Sequence, residues 1–312
     1  MSDRYRKFIY STAIAILVFA AIEGLLRLLG FGSFPIYDVD SQSEYIPSSN
    51  QKGVFLNKNN WFFNDRHLGN AENWNPGKRP NVLLVGNSIL LGGLPYNQPD
   101  KVAPRLEKAL GTSFTVWSAA AGGWTNVNEM DFFDHNEDLI KHSSFIVIEY
   151  MEGGLSQAAP WPGYALTPNT KPLLLSVYSA QKYILPYLIG LRPVNEFGPL
   201  PVRGAVDPMQ FQRFTNFVLN ATKTSSVLIF FYPTKQALAD KESWARAIEP
   251  INAICKVFSL NCIDFAKERK WSPDLYRRDM VHPTQEGNKV IAEILASAIQ
   301  KASAKSESIV SR

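Results

Sequence analysis

Asn81-Val82-Leu83-Leu84-Val85-Gly86-Asn87-Ser88-Ile89 opens with a short apolar run, stops at a glycine and delivers a serine two residues later. Four consecutive aliphatic residues without polar alternation describe a strand buried on both faces, as in a parallel sheet. A parallel sheet needs crossover helices, and Val102, Leu106 and Leu110 recur at helical spacing before Gly111, a residue suited to ending a helix. The pattern then repeats. Residues 114–117, 145–148, 227–232 and 262–265 read as further strands, and residues 127–140, 211–219, 244–258 and 287–299 as helices. This alternation predicts an α/β fold with helices on both faces of the sheet. Ligands of such sheets sit beyond the carboxyl ends of the strands, where Ser88 stands. At a helix amino terminus its hydroxyl is presented outward and its N–H points at anionic oxygen. The plainer role for a serine there is a helix cap.

A second motif lies nearly two hundred residues later, just before the last helix: Asp279-Met280-Val281-His282-Pro283. A histidine three residues after an aspartate shares one side of a short turn with it. The carboxylate then accepts from one ring nitrogen while the other takes a proton from a serine. By itself the motif fits equally well an Asx-type turn carrying a surface histidine.

Gly-Asn-Ser after the first strand and Asp-x-x-His-Pro before the last helix together resemble the SGNH hydrolases, the GDSL-type esterases, over residues 81–300. The resemblance implies a flavodoxin-like three-layer α/β/α domain with a parallel sheet. It implies Ser88 as nucleophile, His282 as general base and then acid, and Asp279 as the residue that orients the histidine. It places an oxyanion hole at the amides of Ser88 and Gly123, with Gly122 as the alternative glycine, and it calls for no cofactor or metal. Asn87 departs from the aspartate usual before the serine. The larger departure follows the third strand, where the family has an asparagine that donates to the oxyanion. Here the chain reads Glu149-Tyr150-Met151-Glu152-Gly153-Gly154. One such donor is worth roughly 3 kcal/mol of transition-state stabilisation. Asn126, Asn128 and the amides of Gly153 and Gly154 are the candidates to replace it.

Outward from this core, the chain begins with Arg4, Arg6 and Lys7, followed by an uncharged run from Phe8 to Ile22 and a leucine-rich continuation to Leu29. The 22 residues match the roughly 20 needed to cross a bilayer as a helix. Residues 1–30 are expected to form an uncleaved membrane anchor, with Glu23 and Arg27 paired near its far end. A cleaved signal cut near Ala20 and Ala21 is the competing reading. Either one exports the body, and with the anchor the expected location is the inner membrane, single-pass, with the domain facing the periplasm or exterior. Residues 31–78 read as a polar arm, residues 79–302 as the catalytic domain and residues 303–312 as a frayed tail. Nine of the twenty prolines fall between Pro160 and Pro208, marking a cap insertion over about 156–208 with a helix over 173–189.

Composition narrows the function classes. At 46% hydrophobic and 12% aromatic the chain of 312 residues is not a disordered one, and a net charge of +4 argues against nucleic acid as partner. Cys255 and Cys262 form either a disulfide in an oxidising compartment or two buried thiols. Asp131, Asp134, His135, Glu137 and Asp138 suit the solvated face of a helix better than a metal site, and Asp264 lacks a histidine at fixed spacing. Trp124, Trp161 and Tyr164 are candidate stacking surfaces for a sugar ring, with core packing as their plainer use. The expected activity is that of an exported serine esterase acting on O-acyl, above all O-acetyl, esters of an envelope polysaccharide. Its partners would be the membrane, a glycan or acylated small molecule, and a membrane acyltransferase. A polysaccharide O-acyltransferase using the same triad is the alternative, and a non-catalytic envelope scaffold or glycan-binding protein the second alternative.

Overall fold

The computed structural model describes residues 3–40, 43–77, 79–185 and 205–310. Helix α1 (Asp3–Leu28) is followed by two antiparallel hairpins, β1 (Tyr37–Asp40) with β2 (Glu44–Pro47) and β3 (Gln51–Phe55) with β4 (Asn59–Phe63). The main domain then runs β5 (Asn81–Gly86), α2 (Ser88–Leu91), α3 (Val102–Leu110), β6 (Thr115–Ala120), α4 (Asn126–Asp134), α5 (Glu137–Lys141) and β7 (Phe145–Tyr150). It continues with α6 (Leu175–Ser179), α7 (Pro208–Ala221), β8 (Ser226–Phe231), α8 (Lys235–Ala239), α9 (Lys241–Val257), β9 (Asn261–Asp264) and α10 (Gln285–Val310).

The five strands β5 to β9 form a parallel sheet in the order β6-β5-β7-β8-β9. That is the flavodoxin-like order, with its topological switch point at the strand from which β6 and β7 depart in opposite directions. The apolar run divides its residues between two layers. Leu83 and Val85 face a core shared with α4, α7 and α9, while Val82 and Leu84 face one shared with α3 and α10. β7 and β8 do the same, with Ile146 and Ile148 on one side and Phe145 and Val147 on the other. This two-sided burial is why the strand sequence shows no polar alternation. A nine-residue helix such as α3 would not persist alone in water. It is held because Leu106 and Leu110 bury against the face of α10 that carries Ile291 and Leu295.

The structure differs from the sequence reading in several places. The helix expected over 127–140 is two helices, broken after Asp134. The polar arm is two β-hairpins, and beyond them Gly69 and Asn70 bond to Val116 and Ser118, covering the free edge of β6. Pairing that edge removes an open row of backbone donors and acceptors. α10 continues to Val310 instead of fraying after residue 302. The helix expected over 173–189 begins as α6 and passes into a π-helical turn, Ala180–Ile184. Residues 186–204 of the expected cap lie outside the described residues.

Cys255, near the end of α9, and Cys262, in β9, are disulfide-bonded. Closing a loop of this length restricts the unfolded chain by roughly 2.5 kcal/mol. Cys255→Ala/Cys262→Ala is therefore expected to lower stability by about that amount, seen as a reduced urea midpoint at unchanged slope.

Candidate active site

Ser88 leaves β5 through a turn that its neighbours hold tightly. Asn87 caps α2, its Oδ1 accepting from Ile89 N at 3.0 Å, and its Nδ2 lies 3.2 Å from Met151 Sδ. The Asn87 amide donates to Glu149 Oε2 at 3.2 Å. Gly86 has no space for a side chain, since a Cβ there would stand 2.4 Å from the same Glu149 oxygen. The turn thus runs between β5 and the end of β7, at the switch point of the sheet.

The opposite wall is the turn before α10. Met280 adopts a left-handed conformation (φ 64°), which folds Asp279 back towards His282. The turn is pinned from outside by Tyr232 Oη, which donates to Val281 O, and by Lys235 N, which donates to Met280 O. Asp279 Oδ1 accepts from the amides of Val281 and His282, and its Oδ2 lies 3.0 Å from His282 Nδ1. Burial by itself would raise the Asp279 carboxyl. The hydrogen bonds from the His282 ring and from two backbone amides outweigh burial and hold it at about 2. An ionised carboxylate can only accept, so Nδ1 donates to Asp279 and Nε2 is turned towards the serine. That Nε2 lies 2.9 Å from Ser88 Oγ. Residues 194 apart in sequence thus form a continuous Ser–His–Asp chain of hydrogen bonds.

Gly123 closes the third side. Its φ of 88° suits glycine, and a Cβ would meet Tyr45 Oη at 2.9 Å. Tyr45, from β2, donates to Gly122 O at 2.8 Å, and Trp124 Nε1 donates to Tyr45 O at 2.7 Å. The arm therefore fixes the glycine loop as well as the sheet edge. Neither the Ser88 nor the Gly123 amide is donated to another group among the described residues.

The remaining residues singled out from sequence are placed as follows. Asn126 is buried, with Nδ2 donating to Glu129 Oε2 and to Glu149 O, both at 2.8 Å. Asn128 completes the capping box of α4 and bonds to both backbone groups of Ala159. Gly153 closes the turn after β7 with φ 74°, and the Gly154 amide is taken up by Met151 O. Trp124 is 2% exposed and packs in the core, and Trp161 donates to Thr167 O against the same core. Tyr164 meets Tyr178 edge-on. Asp131 and Asp134 pair with Arg213, Glu137 with Lys141 and Asp138 with Arg66. Asp264 accepts from Trp244 Nε1 and pairs with Lys267.

Glu129 (α4) and Glu149 (β7), 3% and 1% exposed, line a small polar recess together with Asn87, Gly123 and Asn126. Burial, and next to it the Glu149 carboxyl, push the Glu129 carboxyl well above the usual range. Both effects favour the protonated form of Glu129 beneath the loop that carries Gly123. A glutamate ending an otherwise apolar strand was the available sequence signal, because buried carboxyls rarely occur without a purpose.

No family model matches the chain, and no curated protein does. Among solved structures, the chain is similar to the psychrotrophic esterase EstA from Pseudoalteromonas sp., at 13% identity and a TM-score of 0.44 over 71% of this chain and 97% of that one. TesA is similar at 14% identity and a TM-score of 0.47, over 71% of this chain and 98% of its own. Est24, a carbohydrate acetylesterase from Sinorhizobium meliloti, matches at 11% identity and a TM-score of 0.41, over 72% and 100% of the two chains.

Proposed function

We propose that the protein is a membrane-anchored serine esterase of SGNH type that acts on O-acyl esters of an envelope polysaccharide. The observation that supports this best is the hydrogen-bonded chain from Ser88 Oγ through His282 to Asp279, at 2.9 and 3.0 Å. In this reading Ser88 Oγ attacks the ester carbonyl carbon while His282 Nε2 takes the hydroxyl proton. The carbonyl oxygen becomes an oxyanion held by the Ser88 and Gly123 amides. Collapse breaks the bond to the alcohol oxygen, which leaves with the proton from His282 Nε2. The acyl-enzyme is then released by an acceptor hydroxyl whose proton returns through the same nitrogen. Water as acceptor gives an esterase, and a sugar hydroxyl gives an O-acyltransferase.

α1 supplies the anchor in this proposal. It is long and apolar enough to cross a membrane, with none of its residues buried in the protein, and Arg4, Arg6 and Lys7 would hold its start in the cytoplasm. The near-neutral charge of the chain suits an uncharged ester.

A fluorophosphonate applied to the detergent-solubilised full chain is expected to add one label, located at Ser88 by peptide mass spectrometry. A folded protein that takes up no label would sink the proposal. The acceptor is identified by following p-nitrophenol release from p-nitrophenyl acetate with and without added oligosaccharide. An esterase is expected to release it at a rate unaffected by sugar, and a transferase at a rate that rises with sugar and yields acetylated oligosaccharide.

A further inference from the structure

We infer that the protein touches the bilayer a second time, through the apolar segment 172–185, which lies in the membrane boundary beside the outer end of α1. The inference rests on the proposal that α1 spans the membrane. Three observations carry it.

The first is attachment. Both carboxylate oxygens of Glu23, on α1, accept from the amides that open α6: Oε1 from Leu175 N at 3.0 Å and Oε2 from Ser176 N at 2.8 Å. Arg27, one turn further and paired with Glu23, donates from Nη2 to Leu173 O at 2.8 Å. Leu26 packs against the cluster of Phe34, Leu175 and Tyr178. The segment is therefore fastened to the anchor helix by charge-assisted hydrogen bonds as well as by apolar contact.

The second is depth. Glu23 follows Lys7 by sixteen residues, which is about 24 Å along a helix rising 1.5 Å per residue. The hydrocarbon core of a bilayer is about 30 Å thick. With the basic cluster at the inner surface, Glu23 stops about 6 Å short of the outer boundary of the hydrocarbon and does not stand clear of it. The α6 amides capped by Glu23 are held at the same level.

The third is surface. Leu173 is 89% exposed and Ile184 54%, and Leu174, Val177 and Leu185 are also exposed. These side chains add to the exposed apolar surface of α1 itself. A contiguous apolar surface of this kind is unfavourable in water and marks a contact. Its continuity with the anchor selects lipid as the occupant. Lys182 lies within the patch, as cations do on segments that lie in the headgroup layer, while Lys171 before it turns inward to Gly32 O and Phe34 O. The same cluster reaches the proposed active site. Leu94, six residues beyond Ser88, packs against it, and Tyr96 Oη donates to Pro283 O next to His282. The catalytic turn is thereby held close to the membrane surface, where an ester carried by a lipid or by a membrane-attached glycan would arrive.

The test uses the full chain in vesicles of phosphatidylethanolamine and phosphatidylglycerol. An environment-sensitive fluorophore is placed on single cysteines at Ile14→Cys (α1), Val177→Cys and Ile184→Cys (the segment) or Ser113→Cys (the exposed turn at the amino end of β6). Doxyl-labelled lipid is expected to quench the labels at 14, 177 and 184 by about twofold or more and to leave 113 unchanged. Quenching at 14 together with a response at 177 and 184 that matches 113 would overturn the second contact and leave the anchor standing. Loss of quenching at 14 as well would overturn both. Labels at 177 and 184 that are shielded from aqueous iodide yet not quenched by lipid would assign the patch to a second copy of the chain and overturn the inference.

Discussion

Ser88→Ala and His282→Ala should each lower kcat for p-nitrophenyl acetate hydrolysis by roughly 10⁶-fold, with the double variant no slower than either single one. The reason is that the serine and histidine act as one unit. Without His282 the Ser88 hydroxyl keeps its proton at neutral pH and is a poor nucleophile, and without Ser88 the histidine has no proton to accept. Asp279→Asn should cost less, about 10⁴-fold, since the asparagine leaves the ring in place but favours the wrong tautomer. The separation of these magnitudes is the content of the prediction. Hydrolysis that falls by independent, multiplying factors in the double variant would mean that Ser88 and His282 do not share a proton. Circular dichroism and urea midpoints for each variant separate chemistry from unfolding, which matters most for His282, only 7% exposed.

Much of the fold could be read from the chain because the sheet is buried on both faces. A strand such as β5 or β7 carries an unbroken apolar run, Val82–Val85 or Phe145–Ile148, and that signal needs no partner to be recognised. The arm escaped for the opposite reason. β3 has a half-exposed pattern and contains Gly53, and β1 is only four residues long, so neither carries a periodic signature. The helix over 127–140 was drawn too long because Leu139 continues the apolar period across the break, although a separate helix supplies it. At the site, Ser88, Asp279 and His282 could be recognised because hydrogen-bond chemistry restricts their spacing. The Glu129–Glu149 pair could not. Glu149 stands out on its apolar strand, but Glu129 is unremarkable on its helix, and the 20-residue separation of the two has no local meaning. The role of Tyr45 was hidden for the same reason, since its contact with Gly122 spans 77 residues.

Glu129→Gln should make the protein more stable than the parent as pH rises above about 4.5, by up to about 1.4 kcal/mol for each pH unit gained. The sign follows from the direction of the shift. Burial and the neighbouring Glu149 raise the Glu129 carboxyl above its unfolded value, so between the two values the folded state holds a proton that the unfolded state has lost. Stability from this group is fully present below the unfolded value and is lost as pH rises through the folded one. Asp279 runs the other way. Held at about 2, it contributes stability above its ordinary value and loses it as pH falls towards 2. The parent should therefore weaken at both ends of its pH range, and the substitution should relieve the alkaline end alone. Glutamine suits the test because it keeps an oxygen for Asn126 Nδ2, which donates to Glu129 Oε2 at 2.8 Å, and has no proton to lose. Urea midpoints at about pH 5, 7 and 9 measure the effect, and parallel curves for parent and variant would show that Glu129 is already ionised in the fold. The same substitution reports on the site. Glu129 lines the recess that Gly123 also lines, so ionising it brings negative charge towards the proposed oxyanion and opposes the transition state. Stability falls while the folded state still holds the proton, so the parent should lose kcat only above that interval, once Glu129 ionises in the fold, and Glu129→Gln should hold its kcat there.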